Sequence, residues 1–296
     1  MERSETSSRV DRLDAGAIGL AVLVMAILGG SYTMVKIGLH DLPVFGSLLL
    51  RVLMASATLT GYALWARLPL LHHGRALWFL LAQTLFFVLS QGALYLGLTL
   101  TAAGQAAILF NTQPFFTLLL LPWFVPSERL TIRRLLGTAI AFAGVVPIVA
   151  ARGTGGGSLL GDLLVLIGAL GWTGNTILNR TMPRELHAVT VVLWSAAGAI
   201  PVMAALTLLL EADTTWHLTA AALGSVLYLG VLAAGIGFVL FVWLTRTYSP
   251  ARVNVFVFLS PVFGVLIGWA VLGEPIGVLQ LAGALAVAAG IVVVNT

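Results

Sequence analysis

The chain has no cysteine and very little charge: only 9% of its 296 residues are Asp, Glu, Lys or Arg. Without thiols there are no disulfides, thiolate metal sites or cysteine nucleophiles. The shortage of charge excludes more. A soluble domain carries about 25% charged residues, whereas this chain is 59% hydrophobic, with a mean hydropathy of +1.04. Despite a net charge of +4 there is no basic stripe of the kind that holds nucleic acid. The five histidines (His40, His72, His73, His187, His217) fall in loops or at the ends of apolar runs, and no carboxylate lies in the middle of one. Neither H-E-x-x-H nor G-x-x-x-x-G-K-[ST] occurs, so no zinc protease or ATP-driven pump is indicated, and no metal or cofactor is expected.

What the chain does have is long apolar runs. They fall at 16–37, 43–66, 76–98, 102–124, 132–150, 159–179, 188–210, 218–244, 250–272 and 276–294. Each is continuously hydrophobic rather than alternating, which excludes a membrane β-barrel. Each is near the ~20 residues that cross a bilayer as helix. The fold expected is an all-α integral membrane protein of ten transmembrane helices. The first run is longer than the core of a secretory signal and lacks a small-residue cleavage site, so it reads as a retained span after a polar tail at 1–15.

Lys and Arg set the orientation. With the N-terminus inside, Arg3, Arg9, Arg12, Arg67, Arg75, Arg129, Arg133, Arg134, Arg180, Arg184, Arg246 and Arg252 fall on the cytoplasmic side, and only Lys36 and Arg152 outside. That asymmetry predicts cytoplasmic termini in a bacterial inner membrane. Trp65, Trp78, Trp123, Trp216, Trp243 and Trp269 lie near run ends, where indoles favour the headgroup layer. Trp172 and Trp194 do not.

The sequence repeats itself. TQPFFTLLLLPWFVPSERLTIRRLLG (112–137) returns as LSPVFGVLIGWAVLGEPIGVLQLAG (259–283), matching Pro114 with Pro261 and Glu128 with Glu274. Gly137 and Gly144 match Gly283 and Gly290, and GGSYTMVK (29–36) matches TGNTILNR (173–180). The organisation is one five-span unit at 16–150, a glycine-rich linker at 151–158 and a second unit at 159–296. An odd number of spans makes the second unit enter from the opposite side, giving two inverted five-helix repeats, a frequent design of secondary transporters.

The repeat unit, with G-x-[ST] near the end of its first helix, a proline in its fourth and SERL (127–130) or GEPI (273–276) before its fifth, resembles the EamA repeat of the drug/metabolite transporter superfamily. Within that superfamily the chain looks most like the bacterial exporters of aromatic amino acids and methyl viologen. Leu28 stands where the family often has Trp beside the first G-x-[ST], and Trp172 fills the matching position in the second half.

Polar groups inside spans mark candidate pathway residues, because they usually face the bundle interior or a water-filled cavity. Gln83, Phe87, Gln91 and Tyr95 recur every four residues along one face of the third span, and Trp172, Asn175 and Asn179 share a face of the sixth. Tyr32, Asn111 and Tyr228 add groups at moderate depth. Two roles compete: hydrogen-bonded glue between helices, or a cavity offering stacking faces and neutral hydrogen bonds to a planar ligand. Arg51, about 12 Å into the second span, serves either as a fixed cation for a substrate carboxylate or as a partner for backbone carbonyls. Pro114 and Pro261 bend their helices, as hinges or as fixed curvature. Glu128 and Glu274 are placed to cap the fifth and tenth helices.

The function expected is export of small organic metabolites, amino acids above all and aromatic cations as well, by alternating access around a central cavity. A carrier of another substrate class, such as nucleotide sugars, and an intramembrane lipid-modifying enzyme are the alternatives. The enzyme lacks a base or nucleophile at a reachable depth. The partners implied are a small-molecule substrate and the lipid bilayer, with no nucleic acid and no required protein partner.

Overall fold

The computed structural model describes residues 14–124, 132, 136, 139–140, 143–144, 158–183, 186–248, 256–257 and 259–295. The described elements are α1 (Ala15–Asp41), α2 (Val44–Trp65), α3 (Gly74–Leu100), α4 (Ala103–Phe110), α5 (Gln113–Phe124), α6 (Leu159–Arg180), α7 (Ala188–Leu210), α8 (Ala220–Leu227), a π-helical stretch (Tyr228–Gly237), α9 (Phe238–Thr247), α10 (Leu259–Leu272) and α11 (Val278–Asn295). There is no β-sheet among the described residues. Among the described residues, seven helical segments are long and apolar enough to cross a membrane: α1, α2, α3, Ala103–Phe124, α6, α7 and Ala220–Leu244. Most of the expected fifth span, with Glu128, lies outside the described residues.

Local chemistry sets several of the ends. Asp14 starts α1 by accepting the Ala17 N–H at 2.7 Å, and Ser158 starts α6 by accepting that of Gly161 at 3.0 Å. Pro43 closes the turn after α1. The expected fourth span is broken in two at Asn111 and Thr112. Pro114 has no N–H for the Phe110 carbonyl one turn back, which favours a break here, with Pro114 in the first turn of α5. Pro261 lies within the described helix Leu259–Leu272.

One expectation needs correcting. Glu274 does not cap its own helix; its carboxylate accepts the N–H groups of Ala103 and Gly104 at the start of α4. The chain turns at Gly273 (φ 66°), and this aims the side chain across the bundle instead of along α11.

The helices pair across the two halves. α1 packs on α10, α2 on α7, α3 on α6, and α4 on both α10 and α6, while α8 and the π-helical stretch pack on α1. Exchanging the halves leaves this pattern in place. Glycines allow the close approaches. A Cβ at Gly264 would sit 2.5 Å from the Ala107 Cβ, and one at Gly168 would sit 2.9 Å from the Ser90 carbonyl. Small residues at such seams are how membrane helices gain dispersion contact when lipid is as apolar as the helix surface. The outside is apolar too: Leu208, Leu209 and Leu285 are exposed, as are the six tryptophans near the span ends.

Candidate functional site

Arg51 lies on α2, about 10 Å from its start at 1.5 Å per residue. Its Nη1 donates to the Gln91 side-chain oxygen at 2.7 Å and to the Tyr95 hydroxyl at 3.3 Å. The guanidinium carbon stands 5.7 Å from the Tyr95 ring centroid, within cation–π range. Gln91 and Tyr95 are one turn apart on α3, which is why a single guanidinium meets both. Both are buried. Among the described residues Nη2 and Nε meet no acceptor, and no carboxylate pairs with Arg51. An intramembrane cation without a counter-ion is costly.

Next to this group runs a row of aromatic rings. Tyr32, from α1, lies beside the Asn111 side chain and near the Arg51 charge. Its ring meets Phe110 edge-on at 6.1 Å, and Phe110 meets Trp172 at 6.2 Å. Asn111 ends α4 and donates from Nδ2 to the Ala107 carbonyl at 2.7 Å. The helix break caused by Pro114 thus sets Phe110 and Asn111 between α1 and α6. Phe110 escaped the sequence reading. The signal available for it was its place four residues before Pro114.

The structure assembles Arg51, Gln91, Tyr95, Tyr32, Asn111 and Trp172 into one neighbourhood, and it puts the other candidates elsewhere. Asn175 is buried at the α3–α6 contact. Its backbone carbonyl accepts from the Gln83 side chain at 3.3 Å, and Gln83 also donates to the Asn179 side-chain oxygen at 2.6 Å. The stripe on α3 therefore divides, with Gln83 tying helices together and Gln91 and Tyr95 holding Arg51. Tyr228 opens the π-helical stretch and donates to the Ile27 carbonyl at 2.9 Å, in the space left by Gly30. That stretch packs on α2 through Gly230, where a Cβ would lie 3.0 Å from the Arg51 carbonyl. Trp194 donates from its indole to the Leu70 carbonyl at 2.9 Å, which accounts for its position away from the interface. An apolar groove of about 500 Å³ runs along α3, lined by Phe45, Val88, Gly92, Met203 and Leu206 among others; none of the polar candidates lines it.

These features define an all-helical integral membrane protein whose two similar halves meet over a partly buried cationic and aromatic layer. The chain belongs to the EamA-like transporter family, whose profile matches residues 15–150 and again 159–296. It is 30% identical over 287 residues to a "Probable amino-acid metabolite efflux pump" of Salmonella typhimurium, covering 92% of each chain. A protein of the same description from Escherichia coli K12 is 27% identical over 284 residues, again covering 92% of each. A solved crystal structure superposes with a TM-score of 0.66 at 19% identity, over 95% of this chain and 96% of that one, so it shares the fold. The protein is a membrane transporter.

Proposed function

We propose that the protein exports small amino-acid-type metabolites across a bacterial inner membrane by alternating access, as ten helices in two inverted halves with cytoplasmic termini. The observation that carries this is Arg51: a cation inside the bilayer, oriented by Gln91 and Tyr95, with guanidinium donors that no described side chain takes up. A substrate carboxylate fits that need, since a guanidinium fork matches a carboxylate in shape and charge. The row Tyr32–Phe110–Trp172 supplies faces for an apolar or aromatic side chain, and Asn111 adds a neutral hydrogen-bonding group. In this proposal Pro114 and Pro261 are the hinges, and Asn175 and Tyr228 brace the helices that carry the site.

Uptake into liposomes of purified protein, with a panel of neutral amino acids and aromatic cations, is the direct test. Flux of an unaltered carboxylate-bearing substrate is expected. Chemical conversion of a lipid or substrate, or flux of aromatic cations alone, would overturn the proposal.

Two further results are expected. Trp172→Ala should weaken apparent substrate affinity by up to about tenfold, since an aromatic contact is worth ~0.5–1.5 kcal/mol beyond burial. Trp269→Ala, at an exposed span end, should leave affinity unchanged; equal losses in the two variants would mark Trp172 as packing. For topology, a cysteine placed at residue 5 should resist an impermeant thiol reagent added outside whole cells, and labelling there would reverse the orientation.

A further inference from the structure

Helices α4 and α2 of the first half lack a side-chain cap of their own. The residue before α4 is Ala102 and the residue before α2 is Pro43, and neither has a side-chain oxygen to accept the first N–H groups. The second half supplies both caps. Glu274 accepts Ala103 N–H at 2.7 Å on one carboxylate oxygen and Gly104 N–H at 2.9 Å on the other. Glu211 accepts Phe45 N–H at 3.0 Å and Gly46 N–H at 2.9 Å in the same two-oxygen manner. Lys36, at the end of α1, stands 3.4 Å from Glu274 and donates to the Thr101 carbonyl at 2.7 Å. Both carboxylates meet the free N–H groups and positive dipole end of a helix, where a negative charge is most stabilised.

The two contacts lie at the same end of the bundle, the end where α1 finishes and where α2 and α4 begin; the Lys and Arg distribution makes this the outer face. Beneath Glu274 the packing is tight. The void between Ala102, Gly104, Ile108, Val265 and Pro275 has only about 10 Å³, close to a single water. In the sequence the acid–base pair Glu274 and Lys36 has repeat counterparts in Glu128 and Arg180.

From this geometry we infer that Glu274 and Glu211 are the latches that hold the transport pathway shut at this face. It presupposes the transporter function proposed above and adds how access to its site is controlled. The physical reason is that each cap exists only while the halves are together. Parting them strands four backbone N–H groups and two carboxylates at once. An ordinary cap, made within one segment, would survive that movement and could not act as a latch. Lys36 strengthens one latch, and its loss leaves both backbone N–H bonds of Glu274 in place.

The absence of native cysteine makes a direct test clean. Ile108→Cys puts a single thiol one turn below Gly104, in a position that is 2% exposed and outside the proposed substrate site. Its reaction with an impermeant maleimide is timed in oriented membrane vesicles, with reagent on the face where α1 ends. Slow labelling is expected in the otherwise unaltered chain. Glu274→Gln should raise the rate about tenfold, the population change that losing one charged helix cap produces. Glu211→Gln should raise it as well, and Lys36→Met should raise it less. Unchanged rates in both glutamine variants, each with a normal melting profile in detergent, would overturn the latch. If one variant fails to fold, the other decides the outcome alone. Labelling needs no substrate, so it is separable from the transport assay. Accelerated labelling without flux retires the substrate proposal and keeps the latch, whereas intact flux with unchanged labelling retires the latch alone.

Discussion

Replacing Arg51 with Met is expected to reduce transport at sub-saturating substrate by roughly a hundredfold or more, equal to about 3 kcal/mol. That is the range seen when one partner of a desolvated charge pair is truncated. The loss should fall mainly on apparent affinity, because in the proposed function the guanidinium anchors the ligand's carboxylate. Arg51→Lys keeps the charge and loses the planar fork, so it should recover part of the affinity and no more. Met also leaves the Gln91 oxygen and the Tyr95 hydroxyl without their donor, a cost of about 1–3 kcal/mol to the fold. Gln91→Ala is the control for that cost: it removes the brace and leaves the cation. A chain with Arg51→Met that transports carboxylate substrates at the original rate would show that Arg51 only holds α2 to α3.

The second large effect concerns folding. Gly168 on α6 faces α3 so closely that a Cβ would stand 2.9 Å from the Ser90 carbonyl and 3.2 Å from the Leu94 nitrogen. Both atoms are backbone and cannot turn aside. Ser90 also donates its hydroxyl to the Gly168 carbonyl at 2.7 Å, and that bond depends on the same approach. Gly168→Leu must therefore part the helices, giving up the interhelical bond and much of the dispersion contact along the seam. Destabilisation of about 3 kcal/mol or more is expected, visible as a lowered melting temperature in detergent or as loss of the monodisperse species. Gly61 is the counterpart. It lies on the exposed side of α2 with nothing within 4 Å of a built Cβ, so Gly61→Ala should be neutral or stabilising by up to about 1 kcal/mol through helix propensity. Similar melting temperatures for Gly168→Leu and Gly61→Ala would disprove the close-packed seam.

Much of the protein was already legible in its order of residues. Hydrocarbon tolerates only closed backbone hydrogen bonding, so long apolar runs had one available structure, and the helices followed from length and composition. The tryptophans at run ends followed from chemistry that acts over a few residues, whereas at Pro114 the sequence indicated a bend in one span and the structure has a break between Phe110 and Gln113. The recurrence of Pro114 as Pro261 and of Glu128 as Glu274 pointed to two related halves, and the family profile matches twice, over residues 15–150 and 159–296.

Partnership between distant residues was not legible. Gln83 and Gln91 are the same residue type on one face of one helix, yet the first binds α6 and the second binds Arg51 of α2. Nothing in their own neighbourhoods separates them; what does is which helix crosses α3 at each height. Glu274 shows the same thing at a helix end. Its sequence surroundings favoured a cap on the following helix, and the fold used it on α4, more than a hundred residues earlier in the chain. Periodicity tells which face of a helix is polar, because that depends on 3.6 residues per turn. It does not tell what stands opposite, because crossing points are set by small-residue seams such as Gly168 against Ser90 and Gly264 against Ala107. Those seams involve two segments at once. The sequence alone therefore determined the helices, their membrane setting and their repeat, while only the tertiary structure decided which polar group is glue, which one orients the half-buried Arg51 and which carboxylate joins the two halves.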